Sequence, residues 1–210
     1  MIRLLLNADV PLATAAVTRF GGRPLIPQDA GFQWPCCASC GGLMQFLGQI
    51  ALDDRDVKRL ALVFMCQDDP GMCDEWDASS GGNRVIVVAA ADDAWQLAEL
   101  PEGDSLVRDT VYGARLEDVD SGGYDDASQQ WAQKNHCSPR QILGQLEGEP
   151  SWIQPDETPT CDLCGNNMKF IAQLEQGPDH RTEMNFGGGG SAYVFRCSCI
   201  QHTAKFLWQC

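Results

Sequence analysis

Eleven cysteines carry most of the chemistry available to this chain, and most of them fall into spaced groups. Cys37-x-x-Cys40 and Cys161-x-x-Cys164 have the spacing at which one tight turn offers two sulfurs to a single ion. Each is matched further on by a second pair, Cys66 with Cys73 and Cys197 with Cys199. Thiolates favour zinc, and four of them close its tetrahedron and leave no open position. The spacing therefore predicts two structural zinc ions. Cys37, Cys40, Cys66 and Cys73 would hold one; Cys161, Cys164, Cys197 and Cys199 would hold the other. Two substitutions within these sets stay open: Cys36 for Cys37, and His202 for one sulfur of the second set. Cys137 and Cys210 are left over, and the adjacent pair His136-Cys137 makes a poor nucleophile and base because chain neighbours usually point apart.

The elements that must position these sulfurs occur twice. Residues 35–49 align with residues 159–173 without a gap, matching Pro35, Cys37, Cys40, Gly41, Met44, Phe46 and Gln49 to Pro159, Cys161, Cys164, Gly165, Met168, Phe170 and Gln173. Upstream, Gly22-Arg23-Pro24 matches Gly148-Glu149-Pro150 after a two-residue adjustment, and downstream residues 62–66 resemble residues 193–197. Each half reads as a GxP turn, a cysteine turn, an apolar strand (44–50 and 168–174), then a strand running into the second cysteine pair. A last strand follows, at 84–90 and 205–208. Between the halves, 111–119 reads as a half-buried strand and 125–135 as a short helix ended by Ser138-Pro139. Trp34 and Trp152, beside the GxP turns, read as core. The expected fold is α+β, mostly antiparallel β, an internal duplication of two sheet-plus-zinc-knuckle halves with a few short helices. Residues 1–143 form the first half with its connecting strand and helix, residues 144–210 form the second, and the two pack as one compact domain.

Charge narrows the function. With 15 Lys and Arg against 29 Asp and Glu, the formal charge is −14, which argues against nucleic acid, whose binding runs on Lys and Arg contacts to phosphate, and against an anionic membrane surface. No apolar run approaches the ~18 residues of a membrane span, and Asn7 and Asp9 interrupt the opening MIRLLL, so a cytoplasmic chain with reduced thiols is expected. Gly187 to Gly190 reads as a tightly turned or flexible loop without the Lys-Ser/Thr of a phosphate loop. Acidic residues Asp68, Asp69, Asp74 and Glu75 flank the first cysteine set; others follow at Asp92-Asp93 and at Asp118, Asp120, Asp125 and Asp126, with Trp76, Trp95 and Tyr124 nearby. The four around the first set are the candidate partner-binding residues.

Several segments carry a family resemblance. Phe20-Gly21-Gly22-Arg23-Pro24 with Trp34-Pro35, Leu47-Gly48-Gln49-Ile50, Ile142-Leu143-Gly144 followed by Ile153-Gln154, and Met184-Asn185-Phe186-Gly187 running through Gly190-Ser191-Ala192-Tyr193 resemble the YwqG-like family, domain of unknown function 1963. The resemblance spans about residues 18 to 198. The cysteine turns are more similar to the zinc-binding segments of eukaryotic programmed cell death protein 2 and its relatives, which carry a CxxCG turn, an F-x-x-Q strand and a later cysteine pair. That second resemblance implies a chaperone-like holder of a basic ribosomal protein. The Cys197-x-Cys199 spacing and the absence of the relatives' full domain set depart from it and put the client in doubt. The expected function is a non-enzymatic, zinc-containing protein-binding module for a basic protein partner, immunity-, chaperone- or adaptor-like. The alternatives are an enzyme of unknown reaction, disfavoured because a four-sulfur site is closed, and a structural or oligomer-forming protein.

Overall fold

The structure is a computed structural model that describes residues 1–28, 31–52, 57–91, 94–103, 106–199 and 203–210. Asp92, Asp93 and His202, singled out above, lie outside the described residues. In chain order the elements are β1 (Ile2–Ala8), β2 (Arg19–Phe20), β3 (Leu25–Pro27), β4 (Gln45–Leu52), β5 (Lys58–Met65), β6 (Asn83–Ala90), β7 (Trp95–Leu97), β8 (Tyr112–Val119), α1 (Tyr124–Asn135), a 3-10 turn at Pro139–Gln141, β9 (Ile142–Leu146), β10 (Lys169–Glu175), β11 (Ser191–Arg196) and β12 (Ala204–Gln209). The expected few short helices reduce, among the described residues, to α1 and the 3-10 turn.

Ten strands form one sheet in the order β12-β11-β10-β9-β1-β8-β2-β4-β5-β6, with its strand pairs antiparallel. The terminal strands β6 and β12 come together, so the sheet curls into a nearly closed barrel; β3 and β7 pair separately. The anticipated pair of sheets is thus one continuous sheet. β1 is the reason: it lies between β9 and β8 and joins what the two cysteine-bearing segments would otherwise form separately. The expected boundary between residues 143 and 144 falls inside β9.

Burial explains the sequence patterns. Side chains of a strand alternate between faces, and β5 reads as a nearly unbroken apolar run because both its faces are covered. Ala61, Val63 and Met65 belong to the core cluster that also holds Leu5, Phe20, Tyr112, Val194 and Phe206. Leu60, Leu62 and Phe64 face the other way, into a cluster with Leu25 of β3, Trp95 of β7 and the partly buried Trp34. A third cluster forms where α1 sets Tyr124, Ala127 and Trp131 on Leu4 and Leu6 of β1.

Several local features recur at matching places. The strand order β2-β4-β5-β6 parallels β9-β10-β11-β12. A bulge interrupts β4 between Phe46 and Gly48, and another interrupts β10 between Phe170 and Ala172. Buried Gln49 accepts from the Leu25 N–H at 3.1 Å through Oε1, and buried Gln173 accepts from the Ser151 N–H at 2.9 Å. Each glutamine thereby satisfies a backbone donor just after a GxP turn, a donor that would otherwise be stranded away from water.

Candidate metal centres

Both cysteine turns are built alike. Cys37 N–H donates to Gly42 O at 2.8 Å and Gly41 N–H to Cys37 O at 3.0 Å; Cys161 N–H donates to Asn166 O at 2.9 Å and Gly165 N–H to Cys161 O at 2.8 Å. The residue after the second cysteine must turn left-handed, with φ of 76° at Gly41 and 70° at Gly165, a region glycine enters without a Cβ penalty. Behind each turn the chain is tied to its own strand, by Met44 N–H to Pro35 O and by Met168 N–H to Pro159 O, both at 2.9 Å. In each cluster one further sulfur comes from a strand end and the last from the loop beyond it. Cys66 follows β5, with its N–H on Gly82 O at 2.8 Å, and Cys197 follows β11, with its N–H on Thr203 O at 2.9 Å.

These elements gather Cys37, Cys40, Cys66 and Cys73 into one cluster and Cys161, Cys164, Cys197 and Cys199 into another, with the four sulfurs of each within 4.8 Å of one another. A tetrahedron with Zn–S bonds of about 2.3 Å has sulfurs about 3.8 Å apart. Cys40 to Cys66 is 3.6 Å, Cys161 to Cys199 is 3.7 Å and Cys164 to Cys197 is 3.6 Å, so the donor sets fit one ion each. Cys197 and Cys199 are closer, at 2.9 Å, which is still well beyond a disulfide bond of about 2.05 Å. All eleven cysteines are free.

Cys36 is exposed and stands outside the first cluster. It pairs with Leu43 in an isolated antiparallel bridge, and its extended backbone turns its side chain away from that of buried Cys37. Cys137 packs partly against the α1 cluster, and Cys210 is exposed at the end of β12.

Burial and mutual contact shift the thiols in both directions. Burial pushes Cys66 up to about 11 and Cys73 further still. Burial also raises Cys37, but backbone N–H groups at Cys40 and Ser39 hydrogen-bond its sulfur and hold it below the ordinary value. In the second cluster the thiol and backbone N–H of Cys199 lower Cys197 to about 6, and the neighbouring Cys197 sulfur drives Cys199 up to about 12. Several negative sulfurs packed together need a positive ion, and a divalent metal replaces the protons they otherwise retain.

The proposed contact residues separate on inspection. Asp68, Asp69 and Asp74 are exposed. Glu75 is not: it is 1 % exposed and its Oε1 accepts from the Gly71 N–H at 2.6 Å, so it braces the loop between Cys66 and Cys73 and is corrected from the surface set. Asp68 lies close to the cluster, with Oδ2 3.8 Å from Cys40 Sγ. Of the aromatic residues named with these acids, Trp76 is exposed while Trp95 and Tyr124 are buried. Trp34 and Trp152 are partly buried against core clusters.

Contacts between residues far apart in the chain link the clusters to the barrel. Lys205 Nζ meets Asp162 Oδ1 at 2.7 Å, inside the second cysteine turn, and Trp208 N–H donates to Trp76 O at 3.2 Å. Lys205, just ahead of the apolar stretch Phe206-Leu207-Trp208, is the sequence signal for them, since a charge in a buried strand needs a partner.

No family model matches the chain. A stretch of 67 residues, 32 % of this chain, is 38 % identical to the uncharacterized protein YpfL of Salmonella typhimurium (strain LT2) and covers 15 % of that protein's length. Among the described residues, no helix is long and apolar enough to cross a membrane.

Proposed function

We propose that the protein is a non-enzymatic binding module whose two cysteine clusters each hold a structural zinc ion, and which receives a basic protein partner on its acidic surface. The observation that carries this reading is the pair of four-sulfur clusters: filled by zinc, each is closed, holding the ends of strands in place and offering no open position to a substrate. Four thiolates around Zn²⁺ carry a net −2, so two filled clusters take the formal charge from −14 to −18. Zinc thus deepens the field that would draw a cationic surface in. The matching strand order, bulges and glutamine contacts support an internal duplication, with the two sets of knuckles as copies of one unit. Membership of the YwqG-like family, kinship of the cysteine turns with those of programmed cell death protein 2, and a cytoplasmic location belong to the same reading, supported by the motifs quoted above and by eleven free thiols.

The test uses a basic partner recovered from cell lysate and re-measured in purified form. Neutralising the exposed carboxylates with Asp68→Asn, Asp69→Asn and Asp74→Asn should slow its association and flatten the salt dependence, with zinc content unchanged. Association indifferent to both salt and these substitutions overturns the acidic-surface reading.

A further inference from the structure

The segments leaving the two clusters meet where the barrel closes. Lys205 is the second residue of β12 and is only 9 % exposed. Its ammonium lies 2.7 Å from Asp162 Oδ1 and donates to Ser79 Oγ at 3.1 Å. Asp162 sits between Cys161 and Cys164, so the second cluster fixes its backbone. Ser79 belongs to the stretch that runs from Cys73 to the start of β6. Cys66 N–H to Gly82 O and Ala38 N–H to Gly81 O, at 2.8 and 3.0 Å, stitch that stretch to the first cluster. Beside this contact, Trp208 N–H donates to Trp76 O and the two indoles meet edge to face at 6.2 Å.

One ammonium therefore grips a residue from each cluster's loop. The Lys205 stem is buried while its ammonium reaches two exposed partners at the barrel surface, so losing either partner unties one loop from the other. Metal in either cluster orders the loop that carries one of those partners, so the second metal meets a grip already half set and gives up less conformational freedom. A cavity of about 260 Å³, lined by Ser79, Asn83, Arg84, Asp162 and Lys205, lies alongside the contact.

We propose that the two cysteine clusters bind metal cooperatively across the barrel seam, with Lys205 as the coupling residue. This rests on the reading that both clusters hold zinc. By linkage the coupling is reciprocal: whatever factor one filled cluster adds to the other's affinity is returned.

The test is competition for zinc between the full-length protein and a chromophoric chelator. Blocking the first cluster with Cys37→Ser and Cys40→Ser should weaken zinc binding at the second by about tenfold relative to the second cluster of the doubly filled parent. Blocking the second with Cys161→Ser and Cys164→Ser should weaken the first by the same factor. In a Lys205→Met background, which keeps an aliphatic side chain, each factor should fall below about twofold. Should a blocked chain fail to fold, Lys205→Met alone decides the matter with both clusters intact: it should still take up two zinc ions, but without the parent's cooperative steepness and with faster hydrogen exchange at the Trp208 amide. A parent that fills its clusters independently, or a Lys205→Met protein as cooperative as the parent, overturns the coupling and leaves the metal reading standing. A parent that takes up no zinc overturns both.

Discussion

The two cysteine clusters share a turn and differ in what surrounds it. In the first, a long excursion separates Cys66 from Cys73, and a carboxylate, Asp68, stands 3.8 Å from Cys40 Sγ, with Asp69 and Asp74 exposed nearby. In the second, Cys197 and Cys199 are almost adjacent, and Asp162 of the cysteine turn is paired with Lys205. A zinc ion in four thiolates is a net anion, so the first centre meets like charge and the second meets a compensated pair. The same turn thus sits in two different electrostatic surroundings, with the difference set outside the candidate ligands.

The sharpest way to break the comparison is to remove a ligand. Cys164→Ser should cost several kcal/mol, because structural zinc contributes its binding free energy directly to folding, whereas Cys210→Ser should stay within about 0.5 kcal/mol. Equal denaturation midpoints for the two variants would remove Cys164 from the ligand set. Next comes the packing of the long excursion. A Cβ on Gly82 would lie 2.2 Å from Cys73 O and 2.9 Å from the Glu75 backbone, so Gly82→Ala should lower stability by about 1–3 kcal/mol and release zinc from the first cluster before the second. Native mass spectrometry during chelation reads that order.

Asp68→Asn sharpens the electrostatic contrast. Removing a like charge beside an anionic centre should slow zinc loss from the first cluster by several-fold, with a smaller slowing at the second carried through the barrel seam. An effect larger at the second cluster than at the first would contradict the local electrostatic contrast. The smallest expected effect lies away from the metal. Glu175 accepts from Tyr124 Oη at 2.8 Å and Ser191 Oγ at 3.0 Å, and burial raises its pKa above the ordinary 4.5. The folded chain therefore holds that proton more tightly than the unfolded one. Its contribution to stability is fullest below 4.5 and is lost as pH rises through the folded value. Glu175→Gln should gain on the parent over that rise, and parallel stability curves for the two proteins would contradict the assignment.

Much of this was legible in the chain. The strands at residues 44–50, 62–66 and 84–90 in the first half, and at 168–174, 193–197 and 205–208 in the second, appear within a few residues of where alternation and apolar runs placed them, because burial imposes those patterns directly. Helix 125–135 is one residue short of α1, whose start at Tyr124 has no side-chain cap to announce it. The single sheet was not legible. β1 reads as a short apolar opening, and only its pairing with both β8 and β9 makes it the join between the parts, a long-range choice that no local pattern records. The eight sulfurs were found by spacing, since a turn of fixed length presents two at a time. Glu75 was misplaced because its charge suggested a surface, while the Gly71 N–H that recruits it inward is supplied by the fold. Lys205 went unnoticed for the converse reason: its partners, Asp162 and Ser79, are 43 and 126 residues away.

The central claim is that both clusters are metal centres. Purified without added metal or chelator, the protein should carry close to two zinc ions per chain by elemental analysis, and stripping them should abolish much of the fold and cooperative unfolding together. A chain that is fully folded and free of metal would contradict the account at both clusters at once.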